Sequence, residues 1–545
     1  MHILDRTVVP AFLAAAITLG VLSSAGTAEA AGAAAAAPSR ATEVLVTGGA
    51  RSVAAGRAIV SNRLDLPVIG GFAAAVTDEE RSALVSLGLR VSDNEPVHVT
   101  EADWGAGSHD ASAIYPQVDG ATSAWAGGVD GSGVTVAVID TGISSTGDLA
   151  GKVIDGYDFS GEGDYKADSF GHGTFVAGLI AGSGAASGGA VKGVAPGVNL
   201  VSLKVAGADG SSDVIRVIAA IQWAVNHAAA DRIRVLNLSL GTDSTQNWRI
   251  DPLDAAVEGA WREGLVVTVA AGNQGSAGIT KPGDDPYVIT VGSTDDATTP
   301  GKDDDLIAPF SSTGPTAAGL AKPDLVAPGA HVVSTRSVGS TVDEDFPTAR
   351  IDPIYFRGSG TSFSAPQVAG AAALLLQQRP KLTNNQVKGQ LTSTASALPA
   401  VAKTHQGAGA LDIAAALAAP TAAAANGGLG RSDGSGSPAE SQGSLRYAAR
   451  PSGSDKPVWS AAPWNSTGWT STGWTNAAWN STGWTSTGWT STGWTSTGWT
   501  STGWTNDAWA STGWTSTGWT STGWTSTGWT GAGWAAASFW SAAWD

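Results

Sequence analysis

The chain contains no cysteine and a single methionine, Met1, among its 545 residues. No disulfide, thiolate nucleophile or thiolate metal site can be built from it, and a chain of this length can bury a core without disulfides. Histidine is scarce at seven, which leaves little room for histidine-built metal sites. Only 14% of residues are charged, and the balance is acidic, with a formal net charge of -17. A phosphate backbone would repel that field, so nucleic acid is excluded as a partner. Membrane-length apolar runs are missing as well. The run Ala11 to Leu22, "AFLAAAITLGVL", is too short for an easy span.

What is present divides the chain. Arg6 precedes that apolar run, and Ala28-Glu29-Ala30 offers a small-residue cleavage pattern. Residues 1–30 therefore read as a signal peptide, the protein as secreted and extracellular, with no membrane span once the signal is removed. The alternative is an uncleaved anchor, and Asp5 beside Arg6 is atypical of a signal. Residues 43–104 read as a small α+β unit. "EVLVT" and "VHVT" are strand-like, and "TDEERSALVSLGL" is a short helix capped by Thr77 and stopped at Gly88. From 112 to 418 strands alternate with helices, which predicts an α/β fold with a parallel sheet. "VTVAVID" (134–140), "VNLVSLKV" (198–205), "VLNLSL" (235–240) and "LVVTVAA" (265–271) are of buried-strand length. Residues 211–228 show helical spacing, and 251–264 carry an Asp251 cap, Pro252 at the first helical position and Gly264 as a stop. Residues 419–457 have no period and read as a flexible linker. Residues 458–545 are a low-complexity tail, with a Trp at every fifth position from Trp459 to Trp534.

Four polar residues sit where α/β enzymes place their sites, at strand ends and helix starts. Asp140 closes a strand in "VAVIDTGIS"; alone, such an Asp is more often a turn cap. His172 in "GHGTFVAGLIAG" is flanked by Gly171 and Gly173, which allow close backbone approach. Ser362 in "GSGTSFSAPQVAG" precedes an apolar helix; it reads either as an N-cap or as a nucleophile whose developing charge benefits from the helix dipole. The spacing is not Gly-x-Ser-x-Gly, which disfavours an esterase of the α/β-hydrolase type. Asn273 in "AAGNQG" reads as a turn residue, or as an amide donor to an oxyanion beside a Ser nucleophile.

Together these residues resemble the subtilisin-like serine proteases, in which the chain order is Asp, His, Ser. "VIDTGI", "GHGTFVAG", "KGVAPGVNL", "NLSLG", "AAGNQG", "FSSTGP", "KPDLVAPG" and "GTSFSAP" follow in that family's order from Val138 to Pro366. The resemblance implies a subtilisin-like parallel sheet flanked by helices and a secreted serine endopeptidase acting on proteins or peptides. It assigns Ser362 as nucleophile, His172 as base and acid, Asp140 as the group that orients the imidazole, and Asn273 as oxyanion donor. Ser239, Leu240 and Gly241 would pair with the substrate backbone as a wall of the specificity pocket, and Gly207 in "GADG" would stand on the other side. "GFAAAVTDEERSALVSLGLRV" (71–91) resembles the family's inhibitory pro-segment, which implies a self-processing precursor cut between about residues 101 and 115. Two departures stand out. Phe363 follows the nucleophile where Met is frequent, and "AGSGAASGGAVKG" (181–193) replaces a calcium loop without supplying a carboxylate. Asp148 matches one ligand of that site, so no metal and no cofactor are expected.

A period of five gives the Trp no common face on a helix or a strand. The tail reads as sticky low complexity or as a stacked solenoid. Cell-wall or polysaccharide attachment through Trp stacking is one reading of its role, and self-assembly is another. The rival for the whole chain is a surface adhesin with a protease-like scaffold. The four intact site residues weigh against it.

Overall fold

The apolar runs become one sheet. Its strands are β1 (Thr135–Asp140), β2 (Val153–Asp158), β3 (Asn199–Lys204), β4 (Ile233–Leu238), β5 (Val266–Ala270), β6 (Ile289–Asp295), β7 (Leu306–Ile307) and β8 (Leu325–Pro328). They run in the order β7-β6-β5-β4-β1-β3-β2, with β8 also paired to β6. All pairings are parallel except β6 with β7. β1 and β5 are buried along their whole length, as a sheet covered on both faces requires.

This computed structural model describes residues 42–60, 63–93, 96–97, 113–145, 147–242, 244–399, 401–441, 447–449 and 458–460. The expected signal peptide, the expected cut region up to residue 112 and nearly all of the Trp pentads lie outside the described residues. Among the described residues no helix is long and apolar enough to cross a membrane.

Helices α1 (His172–Ala181), α2 (Val214–His227), α3 (Pro252–Arg262) and α4 (Thr361–Gln378) position the site. α2 buries Val214, Val217, Ile218 and Ile221, the spacing expected of one helical face, and Asp213 caps it through Arg216 N. α3 starts at Pro252 with the Asp251 carboxylate on Leu253 N and Asp254 N, and the chain leaves it through Gly264 at φ +91°. α4 is different, because it is buried all round from Thr361 to Leu376. It packs against β4, β5, β6 and α1, so its N-terminus is fixed from several sides.

The N-terminal unit is a four-stranded antiparallel sheet of Thr42–Thr47, Arg63–Leu66, Gly71–Val76 and Arg90–Asp93, with helices Ala50–Gly56 and Asp78–Ser86. Thr77 caps its helix as expected, and Glu80 completes a capping box with it. The unit has its own small core around Val44, Phe72 and Leu84. Its Leu45, Leu66 and Val68 instead join the main core. Val68 N donates to Gln222 Oε1 of α2 across 2.7 Å. Gly259 of α3 makes room for Val68, since an added Cβ would lie 2.0 Å from Val68 Cγ2. Of the strand expected in "VHVT" (97–100), only Val97 is among the described residues; with Pro96 it pairs antiparallel with Ser212–Asp213.

The expected linker is corrected in its first half. Residues 419–441 run along the α/β region: Ala425 N donates to Asn385 O at 2.9 Å, and Ser432 and Ser441 are buried. Composition suggested a linker because the stretch has no apolar period. It is held by main-chain and hydroxyl hydrogen bonds, which composition does not display.

Candidate active site

β1 is apolar until Asp140, which is 1% exposed at its carboxyl end. The chain turns away at Gly142 (φ +108°), and α1 begins after Gly171 (φ +114°). Gly173 permits the approach of helix to strand end. A Cβ there would lie 2.2 Å from the Gly142 carbonyl oxygen and 3.1 Å from Asp140 Cβ. His172 Nδ1 and Asp140 Oδ1 are 2.7 Å apart and both side chains are buried. A carboxylate only accepts, so the proton lies on His172 Nδ1 and, in the neutral ring, Nε2 is the acceptor. Thr141 N also donates to Asp140 Oδ1, at 2.8 Å.

Asp168 completes this joint, and the sequence reading missed it. Its Oδ1 accepts from Thr141 Oγ1 and Gly171 N, and its Oδ2 from Thr174 N, each at 2.7 Å. Thr141 Oγ1 in turn accepts from Gly173 N at 2.9 Å. Burial pushes the Asp168 carboxyl up, and the bonds from Gly171, Thr174 and Thr141 oppose that rise. The available sign was its place, four residues before His172 at a helix start, where acceptor side chains satisfy open amides.

Ser362 is the second residue of α4 and is buried. Its Oγ donates to the Ser239 carbonyl at 3.2 Å, while Ser239 Oγ donates to the Ser362 carbonyl at 2.8 Å. The Phe363 ring stands 5.5 Å from the His172 ring and 4.4 Å from the Phe175 ring, centroid to centroid. Ser364 is anchored inward by Ser293 Oγ (2.7 Å) and the Ala327 carbonyl (2.9 Å). Asn273 is tied to the same helix start: its Oδ1 accepts from Thr361 N (2.9 Å) and Thr361 Oγ1 (2.7 Å). Those bonds fix the amide orientation. Its Nδ2 is buried and has no hydrogen-bond partner among the described residues. Such an unmet donor costs roughly 1–3 kcal/mol, and here it sits beside the serine helix.

Ser239, Leu240 and Gly241 are buried where the chain leaves β4. Gly241 and Gly272 both face Thr280, since a Cβ on either would lie 2.8 Å from Thr280 Oγ1. Thr280, which the sequence reading did not single out, donates to the Ala271 carbonyl at 3.1 Å. Gly207 is held separately, in the turn after β3, where Gly210 N donates to its carbonyl at 2.9 Å.

Asp148 is taken up by protein donors: Tyr355 OH at 2.5 Å, Ala186 N at 2.9 Å and Ser183 Oγ at 3.1 Å. Burial, then the bond to Asp148, pushes the Tyr355 hydroxyl up to about 12. Among the described residues no group of three or more His, Asp or Glu is placed to hold a metal ion.

A parallel α/β sheet with Asp140, His172 and Ser362 at strand and helix ends points to a serine hydrolase, and the comparisons state which. The Subtilase family matches residues 131–436. Serine protease AprX of Bacillus subtilis (strain 168) is 44% identical over 265 residues, 47% of this chain and 60% of that protein's length. Subtilisin Savinase of Lederbergia lenta is 39% identical over 271 residues, 50% of this chain and 86% of that protein. A solved cold-adapted subtilisin-like serine proteinase is 35% identical, with 52% of this chain and 89% of that one covered and a TM-score of 0.41. The chain belongs to the subtilase family and is a serine endopeptidase of it.

Proposed function

We propose that the protein is a secreted, self-processing endopeptidase whose chemistry rests on Asp140, His172, Ser362 and Asn273. Ser362 Oγ attacks the scissile carbonyl while His172 Nε2 takes its proton. His172 then protonates the leaving amine, and an acyl-Ser362 ester remains. Water, deprotonated by the same nitrogen, cleaves that ester and restores the serine. Asp140 holds the imidazole in the Nδ1–H form and stabilises its cation. The observation that carries the reading is Asn273 Nδ2, a buried donor without a partner among the described residues and with its orientation fixed from Thr361. A tetrahedral oxyanion would supply that partner. In subtilisin, removal of such a donor costs about 3 kcal/mol.

Substrate would add as a strand along Ser239–Gly241, with Gly207 on the opposing side. The N-terminal unit would act as pro-segment and inhibitor, a reading supported by its docking on α2 and α3 through Val68. The Trp tail would attach the enzyme to wall or polysaccharide. Ser362→Ala tests the core of the proposal. It should abolish casein hydrolysis and leave the precursor uncut, as read by gel and mass spectrometry. Efficient removal of the N-terminal unit in the purified variant would refute self-processing, and residual wild-type hydrolysis would refute the nucleophile.

A further inference from the structure

The loop that continues the substrate wall is clamped from two sides. Thr242 directly follows Gly241. On one side it exchanges main-chain bonds with Lys281: Thr242 N donates to Lys281 O at 2.9 Å, and Lys281 N to Thr242 O at 2.7 Å. Lys281 cannot drift, because its fully buried Nζ is held at 2.7 Å by both Asp254 and Asp284. On the other side runs the segment 432–441. Thr242 Oγ1 donates to the Ser441 carbonyl. Gly436 N donates to Ile250 O at 2.5 Å and Asp433 N to Arg249 O at 2.8 Å. Gln246 bridges both ways to Ser437, accepting from its N at 2.8 Å and donating to its carbonyl at 2.9 Å. The contact is too close for a side chain at Gly436, where a Cβ would lie 2.0 Å from Gln246 Oε1 and 2.7 Å from the Ile250 carbonyl.

We infer that residues 432–441 are a brace for substrate binding: they position residues 244–251 and, through Thr242, the Ser239–Gly241 wall against which an extended peptide must pair. The inference rests on the proposed role of that wall. Strand addition needs the wall's main-chain groups in register with the peptide over several residues, and a displacement of about 1 Å is enough to lose it. Asp140, His172 and Ser362 lie on β1, α1 and α4, and Asn273 follows β5 and is held from Thr361; none of the bonds named for the segment reaches them, and Ser239, which exchanges bonds with Ser362, stays fixed at the end of β4. Loosening the brace therefore weakens binding of extended peptides and spares the chemistry.

The test uses the full chain after maturation, with a tetrapeptide p-nitroanilide and an acyl-amino-acid ester too short to pair along the wall. Gly436→Val and Gln246→Ala should each raise KM for the tetrapeptide by about 3- to 10-fold, with kcat within about twofold and ester kinetics unchanged. Two variants are used because the bulkier one could impair folding, which Gln246→Ala should not. An unchanged tetrapeptide KM in Gln246→Ala overturns the inference. So does a parallel loss of kcat on both substrates, which would make the segment a general stabiliser. Leu240→Ala separates the two levels: if it leaves tetrapeptide KM unchanged, the wall reading itself fails. If it raises KM while the brace variants do not, the brace alone fails.

Discussion

Thr141 Oγ1 donates to Asp168 Oδ1 across 2.7 Å, and the same carboxylate receives the amides of Gly171 and Thr174. Asp168 thus ties the residue after Asp140 to the residues around His172. It touches neither the imidazole nor the serine in any bond described above, so its role is positioning. Asp168→Asn retains one acceptor and loses the other. It should lower kcat by roughly 10- to 100-fold, with KM changed by less than about twofold. Steady-state kinetics on a peptide substrate decide this, and an unchanged kcat would refute it.

A second group should report on pH. Asp305 lies beside the β6–β7 pairing, in which Asp295 faces Leu306, and both of its carboxylate oxygens are buried without a hydrogen-bond partner among the described residues. Burial, then the charges of Asp296 and Asp304, push its carboxyl up to about 7. Asp296 is pushed to about 6, mainly by burial. A carboxyl raised in the folded state binds its proton more tightly there than in the unfolded chain. Its stabilising contribution is full below about pH 4, the unfolded value, and is lost as pH rises through about 7. Asp305→Asn removes the charge and should stabilise the protein at pH 8 by roughly 1–3 kcal/mol, with the gain vanishing towards pH 4. Melting curves across pH, in a Ser362→Ala background to prevent autolysis, provide the measurement. A lower melting point of the variant at pH 8 would contradict it.

Phe363 fills the position after Ser362 with a ring packed against Phe175 and His172. It has no thioether to become a sulfoxide. Activity should survive peroxide doses that inactivate relatives carrying Met at that position. Peroxide titration of Phe363→Met beside the wild type checks this: the variant should lose activity first, and equal rates of loss would count against it.

The candidate site residues stand out in the sequence because they sit at punctuation. Asp140 ends an apolar run, and His172 and Ser362 follow glycines at helix starts. Gly171 beside His172 and Gly142 after Asp140 both take positive φ, which glycine alone adopts freely. Asp168 escaped because an acid before a helix is usually an ordinary cap, and only three-dimensional contact shows it also reaching Thr141 from β1's end. Thr280 escaped because a lone Thr carries no pattern; what marks it is the pair of glycines that face it. The 419–441 segment was misjudged for a related reason. Gly, Ser and Asp describe a chain free to move until its amides meet partners more than 150 residues away, as Ser432 N does on Glu258 at 3.0 Å.

That correction fixes where the catalytic unit can be cut. Without residues 419–441, Glu258, itself fully buried, would lose the Ser432 amide, and Asp251 would lose the Ser441 hydroxyl that donates to it at 2.8 Å. Several such losses, at about 1 kcal/mol each, should lower the melting temperature by roughly 5–10 °C. A chain ending at 441 keeps all of these bonds and lacks the Trp pentads. It should hydrolyse casein within about twofold of the full-length enzyme, whereas a chain ending at 418 should be less stable and should bind extended peptides poorly. The pentads carry many Trp on a nearly uncharged tract, so weak contacts can add by multivalency. Retention on insoluble peptidoglycan, cellulose and chitin, compared between the full chain and the 441 form with Ser362→Ala in both, measures that part. Equal retention on every matrix would remove the attachment role. Equal melting points for the 418 and 441 forms would show that residues 419–441 add no stability.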